Sequence, residues 1–123
     1  MRLLLDTHIV LWWDADDPRL SADFRAAIAS PENEVFVSAA SAWEIGIKKA
    51  SGRLQVGASA AHTIRRHSFI ALPITVEHAE WAGSLPLLHR DPFDRLLVAQ
   101  AQLEGLVLVT VDDQILRYQV PHL

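Results

Sequence analysis

The chain has 123 residues, half of them hydrophobic and 21% charged, with a net charge of −4 and no cysteine. Such a composition excludes a disordered tail, and the missing thiol excludes a disulfide scaffold, a thiolate metal site and a Cys nucleophile. The length predicts one domain over residues 1–123. No stretch approaches the ~20 apolar residues of a membrane span, and the opening apolar run is too short for a signal peptide, so a cytoplasmic protein is expected.

Residues 2–5 read as a short, doubly buried strand, and Thr7 to Asp14 as a helix or turn carrying Trp12 and Trp13. After a polar break at Asp14 to Pro18, Ser21 caps a helix running to about Ser30. Glu34 to Val37 is a second strand, followed by a helix from about Ala39 to Ala50 that stops at Ser51-Gly52. Beyond a loop around Val56-Gly57, a helix to about His67 leads into the strand Phe69 to Leu72. Thr75 is placed as the N-cap of a helix to about Ala82, and Ser84 to Arg90 as a loop. Asp91-Pro92 begins the best-defined helix, with Gly105 just past its end. Leu106 to Thr110 is a buried strand and Asp112 to Tyr118 a short helix, with a weak edge strand near Gln119 to Val120. Strands alternating with helices predict a three-layer α/β/α sandwich around a central parallel sheet.

Four acids fall where such a sheet gathers its strand ends: Asp6, Glu44, Asp94 and Asp112. Ligands bind beyond the carboxyl ends of parallel strands, and carboxylates gathered there suit a hard cation, Mg²⁺ or Mn²⁺. Each acid also has a plainer explanation. Asp94 shares its helix face with Leu97, Val98 and Ala101, yet it is also an acid at N3 behind an Asp91 cap. Glu44 matches a capping box with Ser41 and an i,i+4 pair with Lys48 worth only ~0.3–0.5 kcal/mol. Ser38 is a rival cap that would place Glu44 inside the helix. Asp6 and Asp112 could be turn-forming caps, and Asp113 is expected to be solvated. Together, however, four acids at one edge repel one another unless a cation occupies the gap. Setting them aside leaves eleven acids against eleven Lys and Arg, so the rest of the chain is neutral and a nucleic-acid substrate is not excluded.

The histidines (His8, His62, His67, His78, His89 and His122) show no zinc spacing, and no Gly-x-Ser-x-Gly elbow or Gly-rich phosphate loop is present. Trp12, Trp13, Trp43 and Trp81 are expected in the core and not as base-stacking platforms.

Leu3-Leu4-Leu5-Asp6-Thr7-His8, Ser38-Ala39-Ala40-Ser41-Ala42-Trp43-Glu44-Ile45, Asp91-Pro92-Phe93-Asp94-Arg95 with the helix that follows, and Thr110-Val111-Asp112 resemble the motifs of PIN-domain nucleases, in order and along essentially the whole chain. More narrowly, the chain is similar to VapC-type toxins of toxin–antitoxin pairs. The resemblance implies a magnesium-dependent endoribonuclease that hydrolyses RNA with metal-activated water, is held inactive by a cognate antitoxin and forms a homodimer. It carries Asp6, Glu44, Asp94 and Asp112 over as the catalytic and metal-holding cluster. Thr7, Ser38 and Thr110 have hydroxyls suited to hydrogen bonds with those acids or with water. Arg95 is a candidate phosphate contact or the partner of a surface acid.

Three rivals stand beside that expectation. A phosphoacceptor receiver domain would need an Asp after the Phe69 to Leu72 strand and a late Lys, and the chain has neither. A phosphohydrolase with an Asp-x-Asp start would need an acid where His8 stands. A non-catalytic RNA- or protein-binding module on the same fold is the third.

Overall fold

The computed structural model describes residues 1–55, 57 and 59–123. The loop expected around Val56-Gly57 therefore lies in part, at Val56, outside the described residues. Among the described residues four strands form one sheet: β1 (Arg2–Leu5), β2 (Glu34–Ser38), β3 (Ile70–Leu72) and β4 (Val107–Val109). Their order is β3-β2-β1-β4, and every pairing is parallel. Six helices among the described residues connect them: α1 (Thr7–Asp14), α2 (Ala22–Ala29), α3 (Ala39–Ala50), α4 (Ala60–Arg66), α5 (Val76–Ser84) and α6 (Pro92–Glu104).

Three consecutive leucines in β1 are wholly buried, as a strand covered on both faces requires. Alternation then sorts the sheet into two cores. Leu4, Phe36 and Leu108 join Leu97, Val98 and Ala101 of α6 on one side. Leu3, Leu5, Val35, Val37 and Val109 join Ile9, Val10 and Ile28 of α1 and α2 on the other. This is the expected three-layer arrangement.

Local signals set the helix ends. The side chains of Asp6, Ser21, Ser38, Ser59, Thr75 and Asp91 accept backbone N–H groups at the six N-termini. Gly105 closes α6 with φ of 66°, where any other residue would be strained. Ser38, and not Ser41, caps α3, so Glu44 lies inside the helix.

Two expectations near the end of the chain fail. Asp112 to Tyr118 yields only a 3₁₀ turn at Ile115–Arg117, because Tyr118 turns extended (ψ 154°) and buries its ring in the core. The terminal pairing does not fall at Gln119 to Val120. It is a single parallel bridge between Leu108 and His122, with Leu108 donating to the Pro121 carbonyl at 2.7 Å.

The order of the strands locates the site. From β1 the chain moves to β2 on one side, whereas β4 returns to the other side of β1. The crevice beyond the carboxyl ends of β1 and β4 is thus the topological switch point, where open α/β sheets take their ligands.

Candidate active site

Leu5 pairs with Val109, so the next residues, Asp6 and Thr110, stand level across the crevice. The Thr110 hydroxyl donates to Asp6 Oδ2 at 2.8 Å and accepts the Asp112 backbone N–H at 3.0 Å. One buried hydroxyl thereby ties both strand-end acids together. Asp6 Oδ1 accepts Thr7 N–H at 2.7 Å, so Asp6 is a helix cap as well as a member of the site. Asp112 likewise accepts the Gln114 N–H through Oδ1 at 2.8 Å. Asp113 is exposed, as expected.

Asp94 comes from the first turn of α6, held by the Asp91 cap, which accepts the N–H groups of Phe93 and Asp94. Its Oδ2 lies 2.7 Å from His89 Nε2. One ligand-type atom each from His89, Asp94 and Asp112 fall within 4.8 Å of one another. Burial, above all, pushes the Asp94 carboxyl up to about 7; the His89 hydrogen bond opposes the rise, and the charges of Asp6 and Asp91 add to it. Asp6 is also raised, chiefly by burial and slightly by Asp112, against the lowering effects of Thr110, Thr7 and His8. Asp6 thus feels the charge of Asp112, and Asp94 that of Asp6, across three separate segments.

Glu44 stands apart from that triplet. It is buried on α3 with Lys48 Nζ 2.9 Å from Oε2, as the i,i+4 spacing predicts. Its other oxygen, Oε1, is buried without a hydrogen-bond partner among the described residues. An acceptor left in that state is costly in a folded protein and calls for a further donor or a cation.

The supporting hydroxyls divide. Thr110 contacts the acids directly. Thr7 Oγ1 donates to Ser41 Oγ at 2.9 Å, and Ser38 Oγ accepts Ala40 N–H at 3.0 Å, so these two brace α1 and α3 and touch no acid through their side-chain oxygens.

Arg95 turns its guanidinium onto the protein's own backbone and pairs with no acid among the described residues. Nη2 donates to the carbonyls of Ala82 and Leu85 at 2.8 and 3.0 Å. Nη1 donates to the carbonyls of Pro86 and His89 and to the Tyr118 hydroxyl at 3.0–3.2 Å. The guanidinium clamps the loop before α6, and that loop delivers His89 to Asp94.

Two tryptophans also depart from expectation: Trp43 is 60% and Trp81 45% exposed, whereas Trp12 and Trp13 pack partly against the core. Trp43 instead makes an edge contact with Phe93, their ring centroids 5.0 Å apart. His89 is the residue that sequence reasoning passed over. Its only signal was its place five residues before Asp94, directly ahead of the Asp91-Pro92 helix start.

A parallel sheet with acids from strand ends and a helix start converging at its switch point is the arrangement of a PIN domain. The PIN domain family model matches residues 3–121, and the chain belongs to that family. Within it the chain is of the VapC type: it is 31% identical over 122 residues to ribonuclease VapC22 of Mycobacterium tuberculosis (strain ATCC 25618 / H37Rv), covering 97% of this chain and 93% of that protein. The same fold occurs in VapBC2 from Rickettsia felis bound to a promoter DNA fragment, at 15% identity and a TM-score of 0.69 over 100% of this chain and 98% of that one. A toxin–antitoxin complex from Klebsiella pneumoniae shares it at 21% identity and a TM-score of 0.67, over 98% and 95% of the two chains. Among the described residues no helix is long and apolar enough to cross a membrane.

Proposed function

We propose that this protein is a divalent-metal-dependent endoribonuclease and the toxin of a type II toxin–antitoxin pair, acting in the cytoplasm as a single domain that forms a homodimer. The observation that supports it most is the convergence of Asp94 and Asp112 beside Asp6, with two of the three carboxyls raised by burial and mutual charge. The VapC-type relative, whose name is that of a ribonuclease, supplies the substrate class. The toxin–antitoxin complex from Klebsiella pneumoniae, which shares the fold, supports an antitoxin as partner.

The donor set fits Mg²⁺, with Mn²⁺ as substitute: carboxylate oxygens, no thiolate, and the orphaned Glu44 Oε1 in want of a positive partner. Asp6, Glu44, Asp94 and Asp112 would hold the cation, which as a Lewis acid would lower the pKa of water and neutralise charge on the scissile phosphate. The remaining work belongs to the chain. Thr110 fixes the spacing of Asp6 and Asp112. His89 Nε2 orients Asp94 and opposes its protonation, keeping the carboxylate available as a ligand or as acceptor for the proton of the attacking water. Water attacks in line, leaving a 5′-phosphate and a 3′-hydroxyl.

Incubating the purified protein with defined transfer, ribosomal and messenger RNA fragments, with and without Mg²⁺, tests this reading. Cutting only with the metal, and with those ends, is expected. Cleavage that persists in EDTA, or that leaves 2′,3′-cyclic phosphates, would sink it.

A second result is expected for His89. Its replacement by Ala should lower kcat/KM by about 10–100-fold, the usual cost of losing a group that orients a metal ligand. The acid limb of the pH–rate profile should move to higher pH, because the bond that lowers the Asp94 pKa is gone. His89→Gln, which can still donate to Oδ2, should recover part of the rate. An unchanged acid limb in His89→Ala would show that the imidazole has no bearing on Asp94.

A further inference from the structure

Beside the acidic crevice, between α1 and the end of α3, lies a groove of about 450 Å³. Its walls include His8, Trp12, Asp17, Arg19, Lys48 and Arg53. Its three cations outnumber Asp17 and the Glu44 carboxylate paired to Lys48, so the groove is locally positive in a chain whose net charge is −4. His8 and Trp12, one helical turn apart on α1, have ring centroids 6.1 Å apart. The Arg19 guanidinium lies over Trp12, 5.1 Å from the ring centroid. Asp17 holds Arg19 in place through Nε and Nη2, at 2.7 Å for the shortest contact. Arg53 bonds Ser51 through Nε alone, so its two terminal nitrogens have no protein partner among the described residues.

The groove joins the candidate active site at two points. His8 is two residues from Asp6 on the first turn of α1. Lys48 is ion-paired to Glu44. From His8 to the far end of α1 the wall extends about 10 Å, at 1.5 Å per helical residue. Cations grouped with aromatic rings in one groove are what a single nucleic-acid strand uses: charge for phosphates, flat faces for bases.

We infer that this groove carries the single-stranded RNA flanking the scissile bond, with Arg19, Lys48 and Arg53 contacting backbone phosphates. The inference rests on the ribonuclease reading and gives that reading a substrate track. An acidic peptide offers negative charge too, but it brings no flat bases to lie against His8 and Trp12.

The test uses the full chain carrying Asp94→Asn to prevent turnover, with a fluorescein-labelled single-stranded oligoribonucleotide in EDTA, titrated at several KCl concentrations. Adding Arg19→Ala and Arg53→Ala should weaken binding at least ten-fold. It should also reduce the slope of log K against log salt by about 0.7 for each phosphate that is no longer neutralised. Arg66→Ala, an exposed cation that does not line the groove, should change neither. Circular dichroism checks the fold, and Arg53→Ala alone, at an exposed site, serves should the double variant unfold. Unchanged affinity and slope in the folded variants would overturn the inference. So would retained RNA binding with lost binding of poly-L-glutamate, which would assign the groove to an acidic peptide. The two readings fail separately. RNA binding that depends on the arginines, with no cleavage by the wild type in Mg²⁺, keeps the track and discards the nuclease. Mg²⁺-dependent cleavage with KM unmoved by the arginine variants does the reverse.

Discussion

Replacing Asp94 by Asn is expected to reduce Mg²⁺-dependent RNA cleavage by about a thousand-fold, the equivalent of the several kcal/mol that a metal's charge contributes at the transition state. The same substitution should stabilise the metal-free protein. The folded Asp94 carboxyl is raised to about 7 from 3.8, so the native state keeps a proton that the unfolded chain gives up above about pH 4. Wild-type stability from this group is full at low pH and is lost as pH climbs from about 4 to about 7. Asn cannot ionise and escapes the loss. At ~1.4 kcal/mol per pKa unit, discounted for partial exposure and for sharing with neighbouring acids, the gain at pH 8 is on the order of 2 kcal/mol. Differential scanning of both proteins in EDTA at pH 5 and pH 8 reads this directly: Asn should melt several degrees higher at pH 8 and show a smaller advantage at pH 5. Mg²⁺ should raise the wild-type melting temperature at pH 8, little at pH 5, and barely at all in Asp94→Asn. A variant that melts like wild type at pH 8, or cuts RNA as fast, would remove Asp94 from the site.

Arg95→Ala should destabilise the fold more than any of the substitutions above, by about 3 kcal/mol. Five charge-assisted bonds disappear together, and the carbonyls of Leu85, Pro86 and His89 lose a donor in a partly buried setting. Lys should restore only a fraction, because an ammonium cannot span carbonyls that a planar fork reaches at once. Chemical denaturation measures the loss. The alternative that the sequence allowed, a phosphate contact, makes the opposite forecast: intact stability and a higher KM. Cleavage should fall as well, since the loop that sets His89 against Asp94 is released. The Tyr118 hydroxyl, which donates to the Pro86 carbonyl at 2.8 Å and accepts the His89 N–H at 3.1 Å, holds that loop from its other side.

What the sequence made legible was local or periodic. β1 could be read because three leucines between polar neighbours suit only a doubly covered strand, and α6 because Asp91, Pro92 and Gly105 mark both its ends. The acids could be read from their places after strands and at a helix start. The two readings of Asp6 and Asp94 are compatible, each being a capping or first-turn residue that also lies in the acidic crevice. The unread part lay in irregular backbone. Nothing in the residues 85–90 says which carbonyls will converge on Arg95, so both that clamp and the neighbourhood of His89 are products of tertiary packing. Trp81 has Glu77 and Ser84 at helical spacing, which place it on a polar face. Trp43 has Ala39, Ala40, Gly46 and Ile47 there, so its exposure follows from tertiary packing and not from its helical neighbours. Glu44 is intermediate: Ser38 and Ser41 both offered a cap, and only the structure chose.

The hydrogen bond from Thr110 to Asp6 spans 104 positions of sequence. During synthesis the first strand leaves the ribosome early, yet its acid meets Asp112 only once β4 has emerged and slid in alongside it. On the proposed function, unfinished chains should therefore lack nuclease activity, which would arrive in a single step late in translation.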